Sequence, residues 1–175
     1  IAGLEKIENG SIKLKSNLLS SKNSHVEPEN RNISLSFQEN ALFPHFTIQK
    51  NINFGTERNK INGKKFLNPK KIIKILNIEN ILNKYPHQIS AGEAQRASLT
   101  RAVISNPDLL LLDEPLSNID ENFKEEIQVN LKQILKENKI TTIIVTHDSY
   151  EAFYLGDKCG IILDKKLRQY DEPYN

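Results

Sequence analysis

Four consecutive leucines followed by two carboxylates constrain the fold of this chain more than any other feature. The leucines occupy residues 109–112, Asp113 and Glu114 follow them, and Pro115 ends the run. An uninterrupted apolar run of this kind is typical of a strand covered on both faces, as in a parallel sheet between helices. At the end of such a strand, one carboxylate can hold a metal ion and the next can polarise a water molecule. The run therefore predicts an α/β fold with an acidic site at a strand end.

A second informative segment, residues 89–96, has the sequence Ile-Ser-Ala-Gly-Glu-Ala-Gln-Arg. Ser90 is a good N-cap for a helix that we expect to run to about Ile104. The first backbone N–H groups of a helix have no partner within the helix and carry a partial positive charge, so they attract anions. A phosphate-binding helix start and an acidic strand end together indicate a protein that handles nucleotide phosphates.

The rest of the chain predicts alternating strands and helices. Apolar residues recur at helical spacing over 121–138, whereas residues 141–146 are β-branched throughout and predict a strand covered on both faces. A short helix over 149–155 and a strand over 159–163 complete a pattern that favours a mostly parallel sheet. We further expect strands over 11–14 and 33–37, a helix end over 1–4, and a loop over 16–32.

Composition is that of a soluble globular protein, because 38% of the residues are hydrophobic and the net charge is only +2. The low net charge argues against a surface dedicated to nucleic acid. The sequence contains no apolar run long enough to cross a bilayer and no signal peptide, and it therefore predicts a cytoplasmic location. The single Cys159 excludes an internal disulfide and, within a predicted strand, is expected to be a buried thiol.

Five short motifs, in a fixed order along the chain, resemble those of the ATP-binding-cassette (ABC) transporter ATPases. The segment ISAGEAQR is similar to the LSGGQ signature, and LLLLDEP is similar to the Walker B strand. SNID at 117–120 resembles the D-loop, SFQENALFPH at 36–45 the Q-loop region, and VTHD at 145–148 the switch histidine. One motif alone would be weak, but the ordered set is very specific. The resemblance implies an α/β fold of the P-loop NTPase (RecA-like) type, with a mostly parallel sheet and an inserted helical subdomain.

The resemblance also implies a division of the chain into four parts. These are a partial RecA-like core at 1–40, the helical signature subdomain at 41–105, the core with Walker B and the switch histidine at 106–165, and the start of a C-terminal extension at 166–175. In the family, a phosphate-cradling G-x-x-x-x-G-K-[ST] loop (Walker A) precedes a segment similar to residues 1–5, and this sequence contains no such loop. We therefore expect these residues to be a fragment that alone binds ATP poorly and hydrolyses almost none of it.

Gln38, Asp113, Glu114 and His147 match the catalytic and metal-binding positions of the family. By this resemblance, Asp113 and Gln38 would hold Mg²⁺, and Gln38 would also contact the attacking water. Glu114 would orient and deprotonate that water, and His147 would sense the γ-phosphate. The alternatives are an acidic pair that only ends a strand, a solvated glutamine, and a histidine satisfied at a strand end.

The resemblance assigns a second set of residues to the nucleotide held by the opposite subunit of a dimer. These residues are Ser90, Ala91, Gly92, Glu93 and, across the interface, Asp120. Asp120 precedes a predicted helix and can serve as its N-cap as well. Ala91 replaces a glycine of the family motif, and Glu93 replaces its glutamine. We expect Ala91 to be costly if its φ is positive and Glu93 to add negative charge near the phosphates, which would slow turnover without abolishing it.

The resemblance predicts an ATP-hydrolysing subunit of an ABC importer at the cytoplasmic face of the plasma (inner) membrane. Its cofactors would be ATP and Mg²⁺. Its partners would be integral membrane permease subunits facing residues 43–45, a second ATPase subunit and, indirectly, a periplasmic or extracellular solute-binding protein. The importer group concerned carries ferric iron, polyamines, sulfate or sugars, and residues 167–175 are most similar to the ferric-iron branch. A soluble ABC ATPase acting on ribosomes or DNA, and a non-catalytic regulatory cassette, are the alternatives.

Overall fold

The computed structural model of the chain describes residues 1–37, 39, 41–62 and 67–173. Its strands are β1 (Ser11–Leu14), β2 (Asn17–Ser21), β3 (Ser24–His25), β4 (Ile33–Ser36), β5 (Leu109–Asp113), β6 (Thr142–Val145), β7 (Cys159–Leu163) and β8 (Lys166–Asp171). Its α-helices are α1 (Ile48–Asn62), α2 (Pro69–Ile75), α3 (Ala91–Ile104), α4 (Glu121–Glu137) and α5 (Ser149–Leu155). Short 3-10 turns lie at Pro28–Asn30, Glu79–Ile81 and Pro86–Gln88. None of the helices within these described ranges is long and apolar enough to cross a membrane.

The central sheet is parallel and has the strand order β4–β5–β6. Its middle strand, β5, is the predicted leucine run, and most of its leucines are buried. Ser36 of β4 pairs with Leu112, and Asp113 pairs with Val145 of β6, so the three strands end at the same edge of the sheet. The structure confirms the predicted α/β class with a parallel sheet at its core.

Helix α3 links the sheet to the segment around Phe43. It packs against α1 and β4, and its apolar side chains from Ala97 onward contribute to the hydrophobic core. The Arg101 guanidinium donates a hydrogen bond to the Ala41 carbonyl oxygen at 2.9 Å and lies 5.5 Å from the centre of the Phe43 ring. The chain that follows β4 is therefore attached directly to the helix that carries the ISAGEAQR segment.

Helix α4 has the amphipathic character that the sequence predicts. Its residues Ile127, Leu131 and Ile134 are buried in the core, whereas Phe123, an apolar position of the same predicted stripe, is exposed. Burial of one apolar face in the core is the main source of stability for a helix of this kind.

The predicted loop over 16–32 is wrong, because β2 and β3 pair with β1 to form a small antiparallel sheet there. The stretch contains many polar residues, but Arg31 within it is only 2% exposed. Its guanidinium donates hydrogen bonds of 2.7 Å to the carbonyl oxygens of Ile1 and Val26 and to Oγ of Ser20. A buried arginine that is satisfied by distant carbonyl groups leaves no periodic signal in the sequence.

The predicted helix end over 1–4 is also wrong, since that segment is not helical. Gly3 has a φ of +95°, a left-handed backbone conformation that residues with a Cβ rarely adopt. A Cβ at this position would lie 2.6 Å from Nε of Arg31. Packing against the buried arginine therefore decides the path of the segment.

The strands predicted over 141–146 and 159–163 are confirmed as β6 and β7, but the expected cover of β6 and the expected place of β7 in the parallel sheet are wrong. Strand β6 is an edge strand of the described sheet, and it is covered on one face only, because Ile143 and Val145 are exposed. Strand β7 pairs antiparallel with β8 in a separate hairpin instead of extending the parallel sheet. As a result Cys159 is only partly buried, with its thiol 3.3 Å from the Ala152 carbonyl oxygen, and it is not the buried thiol that we expected.

Candidate active site

The polar residues predicted to act together follow the carboxyl ends of neighbouring parallel strands. Asp113 is the last residue of β5, Glu114 comes directly after it, and His147 follows β6 by two residues. In open α/β sheets, ligands bind at this end of the strands. Gln38, predicted to join them from the end of β4, lies outside the described residues.

Glu114 and His147 are in direct contact. Nδ1 of His147 lies 2.9 Å from Oε1 of Glu114, and the side chains are 76% and 22% exposed, respectively. The Glu114 backbone has a φ of +46°, and its N–H donates to the Val145 carbonyl oxygen at 2.8 Å. A left-handed conformation at a non-glycine residue is uncommon and is concentrated at functional sites. The chain therefore turns sharply after β5, and the carboxylate of Glu114 meets the exposed imidazole.

A buried carboxylate supports the turn that carries His147. Glu151 of α5 is 2% exposed, and its Oε2 accepts a hydrogen bond of 3.1 Å from the Thr146 hydroxyl. Among the residues that the structure describes, the Oε1 atom of Glu151 has no hydrogen-bond partner. Burial raises the pKa of the Glu151 carboxyl above its usual value, and the hydrogen bond from Thr146 and the charge of Lys124 oppose part of that rise.

An ion pair lies beside Glu151. Nζ of Lys124 is 2.7 Å from Oδ2 of Asp148, which is also the N-cap of α5. The hydrogen bond between them raises the pKa of Lys124 and lowers the pKa of Asp148. Helix α4 is thereby tied to the residue that directly follows His147.

The start of α3 forms a reciprocal capping box. Oγ of Ser90 accepts a hydrogen bond from the Glu93 N–H at 3.2 Å, and Oε2 of Glu93 accepts one from the Ser90 N–H at 2.8 Å. The bond from the Ser90 backbone lowers the pKa of the Glu93 carboxyl, so this group is firmly ionised at neutral pH. Glu93 therefore stabilises the helix start by occupying a backbone donor, a role that an amide oxygen could also fill.

Ala91 and Gly92 differ in how closely other atoms approach them. Ala91 is exposed at the first position of α3 and has no positive φ, so the cost that we expected for a methyl group in that conformation does not arise. A Cβ added to Gly92 would lie 2.9 Å from the Asn118 carbonyl oxygen. Gly92 is thus the position where the helix start meets the backbone of the 117–120 segment.

Asp120 is the N-cap of α4, as the sequence allows. Its Oδ1 accepts hydrogen bonds from the backbone N–H (2.9 Å) and the side-chain amide (2.8 Å) of Asn122. The residue is exposed, so its carboxylate is accessible from solvent, two residues after Asn118 in the chain.

Gln95 lies in the ISAGEAQR segment, where the motif predicts no role for it, and in the structure it joins two parts of the site. It is 2% exposed, and its Nε2 donates to the Glu114 carbonyl oxygen at 2.7 Å while its Oε1 accepts from the Asn118 N–H at 2.9 Å. The sequence does contain a signal for this residue, because Gln95 lies at helical spacing from the buried Leu99 and Ala102. A glutamine on the apolar face of a helix has to find buried partners.

A comparison with known protein families identifies the family of the chain. The family model described as ABC transporter matches residues 1–117. The chain belongs to the ABC transporter family.

Several curated relatives of this ABC chain are named as import proteins. The Fe(3+) ions import ATP-binding protein FbpC 2 of Haemophilus influenzae is 36% identical over 174 residues, which cover 99% of the chain and 49% of that relative. The Fe(3+) ions import ATP-binding protein FbpC of Fusobacterium nucleatum is 33% identical, with 99% and 46% covered. The spermidine/putrescine import ATP-binding protein PotA of Escherichia coli is 35% identical over 184 residues, with 100% and 47% covered. The chain spans about half the length of these curated relatives.

Solved ABC cassettes share the fold. A dimeric ATP-binding cassette in a post-hydrolysis state, bound to ADP and Pi, aligns with a TM-score of 0.80 at 23% identity, covering 100% of the chain and 78% of that structure. A dimeric bacterial ABC transporter cassette aligns with a TM-score of 0.81 at 21% identity, covering 99% and 78%. These similarities confirm the P-loop NTPase type of α/β fold.

The acidic residues of this ABC chain fit Mg²⁺ that is bound mainly by water and phosphate oxygens, with one or two carboxylates from the protein. Within the described ranges, no group of three or more His, Cys, Asp or Glu side chains could together hold a metal ion. Mg²⁺ is usually bound by one or two carboxylates together with waters and phosphate oxygens, and seldom by a cage of protein ligands. Asp113, half-buried at the end of β5, is a carboxylate of that kind.

Proposed function

We propose that the protein containing this chain hydrolyses ATP as a dimer and couples hydrolysis to solute import through separate membrane permease subunits. The observation that carries the proposal is the contact between Glu114 and His147, beside Asp113, at the carboxyl ends of adjacent parallel strands. Membership of the ABC transporter family supports it, and so do the relatives named as import ATP-binding proteins.

Each residue at the strand ends has a part in the proposed hydrolysis. When bound, Mg²⁺ neutralises charge on the phosphate oxygens, and Asp113 with Gln38 would hold it. The Glu114 carboxylate accepts a proton from the water whose oxygen attacks the γ-phosphorus. The bond from that phosphorus to the bridging oxygen breaks, which releases ADP and inorganic phosphate. His147, exposed and held against Glu114, donates a hydrogen bond to the γ-phosphate.

The start of α3 acts on the nucleotide of the opposite subunit. Ser90, Ala91 and Gly92 present a capped helix N-terminus, which attracts phosphate oxygens. Glu93 lies one turn into the helix and tunes the charge of this surface. Asp120, exposed after the segment that touches Gly92, would cross the dimer interface and couple the two sites.

The solute and the membrane partner are the finer parts of the proposal. We propose ferric iron as the first solute to test, because two relatives are named Fe(3+) import proteins; the PotA relative makes polyamines the rival. The permease would receive the segment around Phe43, where Pro44 and His45 are exposed. In this proposal the ATPase lies at the cytoplasmic face of the membrane, with a solute-binding protein on the other side.

Phosphate release by the full gene product that contains these residues tests the ATPase. We expect Glu114→Gln to lower Mg-ATP turnover by about 100-fold or more, because a general base contributes that much, while an ATP-bound dimer accumulates on size exclusion. Glu126→Gln, an exposed position on α4, is the matched control and should keep wild-type turnover. Equal turnover in wild type and Glu114→Gln would remove Glu114 from its role. No turnover in the wild type would favour a non-catalytic regulatory cassette.

Uptake in a deletion strain tests the solute. The strain complemented with the wild-type gene is compared with one complemented with Glu114→Gln, using labelled ferric iron and labelled spermidine separately. Restoration of iron uptake by the wild type alone would support the proposal. Restoration of spermidine uptake alone would reassign the importer to polyamines.

A further inference from the structure

We propose that Gln95 is a positioning residue that couples the start of α3 to the catalytic carboxylate Glu114. The inference rests on the proposed ATPase function of Glu114. Gln95 is buried and uses both ends of its amide, donating to the Glu114 carbonyl oxygen at 2.7 Å and accepting from the Asn118 N–H at 2.9 Å. One side chain on α3 therefore holds both ends of the turn that follows β5.

The Glu114 end of this link secures an uncommon backbone conformation. Glu114 has a φ of +46°, which its Cβ disfavours. Its carbonyl oxygen also accepts a hydrogen bond of 3.0 Å from the Ser117 hydroxyl, and Nε2 of Gln95 lies 3.4 Å from that hydroxyl oxygen. Because the Gln95 bond comes from outside the turn, it fixes the turn relative to α3 and not only within itself.

The Asn118 end extends the link to the helix start. The Asn118 carbonyl oxygen lies where a Cβ on Gly92 would be only 2.9 Å away, so backbone and helix are in close contact there. Gly92 belongs to the segment proposed to bind the nucleotide of the opposite subunit. A shift of α3 on nucleotide binding would move Gln95, and Gln95 would move Glu114. This sequence of contacts connects one subunit's signature segment with the same subunit's water-activating carboxylate.

Substitutions at Gln95 separate positioning from general stability. Gln95→Leu removes both hydrogen bonds, whereas Gln95→Glu keeps an acceptor for the Asn118 N–H and loses the donor to the Glu114 carbonyl oxygen. Burial raises the pKa of a carboxyl group, so the introduced acid should protonate as the pH falls towards about 6 and donate again. Gln128→Leu, a second buried glutamine on α4, is the matched control for the loss of a buried amide.

The experiment measures kcat and KM for Mg-ATP with the full gene product, from about pH 6 to about pH 8.5, beside melting curves for each variant. We expect Gln95→Leu to lower kcat by about 10-fold or more with KM within about twofold, because a small misplacement of the base affects the chemical step most. The kcat of Gln95→Glu should rise relative to that of wild type as the pH falls. Gln128→Leu should keep the wild-type kcat.

Three results would overturn the inference. They are an unchanged kcat in folded Gln95→Leu, a Gln95→Glu pH profile parallel to that of the wild type, and an equal loss of kcat in Gln128→Leu. If Gln95→Leu does not fold, the pH profile of Gln95→Glu decides alone. An inactive wild type would overturn the proposed function and this inference with it, a result distinct from an active wild type with an unaffected Gln95→Leu variant.

Discussion

Oε1 of Glu114 lies 2.9 Å from Nδ1 of His147, although the two residues are separated by a helix and a strand in sequence. The carboxylate is largely covered, whereas the imidazole is exposed. A ligand approaching the carboxyl ends of the strands would therefore meet the imidazole first and reach the carboxylate beside it. Parallel pairing of β5 with β6 is what brings the two residues together.

This contact predicts the effect of removing the imidazole. We expect His147→Ala to lower Mg-ATP turnover in the full gene product by about 100-fold, because Glu114 loses its partner and the γ-phosphate loses a donor. Phosphate release under saturating ATP measures the effect. His87→Ala, at an exposed histidine stacked on Tyr85, serves as control and should be silent. Turnover within about twofold of wild type in His147→Ala would contradict the role.

The capping box at α3 predicts the effect of restoring the amide at position 93. Glu93→Gln keeps an acceptor for the Ser90 N–H but removes a negative charge from the proposed phosphate-binding surface. A charge near a helix N-terminus contributes about 0.3–1 kcal/mol, so we expect the KM for ATP to fall by about two- to fivefold with the fold intact. Steady-state kinetics at low salt measure this change. An unchanged KM would show that Glu93 is too far from the phosphates to matter.

The close approach of the Asn118 carbonyl oxygen to Gly92 predicts that a substitution at Gly92 lowers stability more than one at the neighbouring Ala91. Gly92→Ala places a methyl group 2.9 Å from the Asn118 carbonyl oxygen, so the backbone has to move. We expect the free energy of unfolding to fall by about 1–3 kcal/mol, as overpacking usually costs. Ala91→Gly, at the exposed first position of α3, should change it by less than about 1 kcal/mol. Urea unfolding curves compare the two variants, and equal effects would contradict the close contact.

The burial of Glu151 predicts that its replacement by glutamine stabilises the protein by an amount that depends on pH. Because burial raises the pKa of its carboxyl in the folded state, the ionised form disfavours folding, and stability is lost as the pH rises through that raised pKa. Glu151→Gln keeps an acceptor for the Thr146 hydroxyl without the charge. Below about pH 4.3 the wild-type carboxyl is protonated in both the folded and the unfolded state, so the comparison with Glu151→Gln at that pH is the reference. Near neutral pH we expect the free energy of unfolding of Glu151→Gln, compared with that of wild type, to be about 1 kcal/mol higher than in this reference.

Urea unfolding midpoints across that pH range measure the gain at Glu151. The control is again Glu126→Gln, an exposed position on α4, measured beside Glu151→Gln at each pH. The Lys124–Asp148 pair contributes in the opposite sense, since the lowered pKa of Asp148 makes its stabilisation disappear as the pH falls below about 4. If the difference in free energy of unfolding between Glu151→Gln and wild type did not change with pH, burial would not penalise the ionised carboxylate of Glu151.

Local patterns predicted the elements that depend on local rules. The leucine run became β5, the Ser90 cap began α3, and the period of apolar residues after Asp120 became α4. Each of these signals lies within a few residues of the structure that it specifies, through capping, side-chain periodicity or strand burial.

Non-local contacts explain the errors. The strands β2 and β3 depend on Arg31, whose partners lie as far away as Ile1, and β7 depends on a hairpin partner that the strand pattern does not identify. Gln95 and Glu151 were missed as site residues because their importance comes from burial beside the turns after β5 and β6. A polar residue on an apolar helix face was the one signal available, and it indicates that partners exist without naming them.

The sequence by itself determined the family, the α/β class, the caps and the acidic strand end, because these follow from motifs and periodicities that neighbouring residues carry. Only the tertiary structure decided that His147 touches Glu114, that Gln95 holds both ends of the turn after β5, and that Gly92 meets Asn118. These contacts join residues from different elements, and their distances depend on how the helices pack on the sheet, since packing side chains to fill a core fixes positions that no local pattern records.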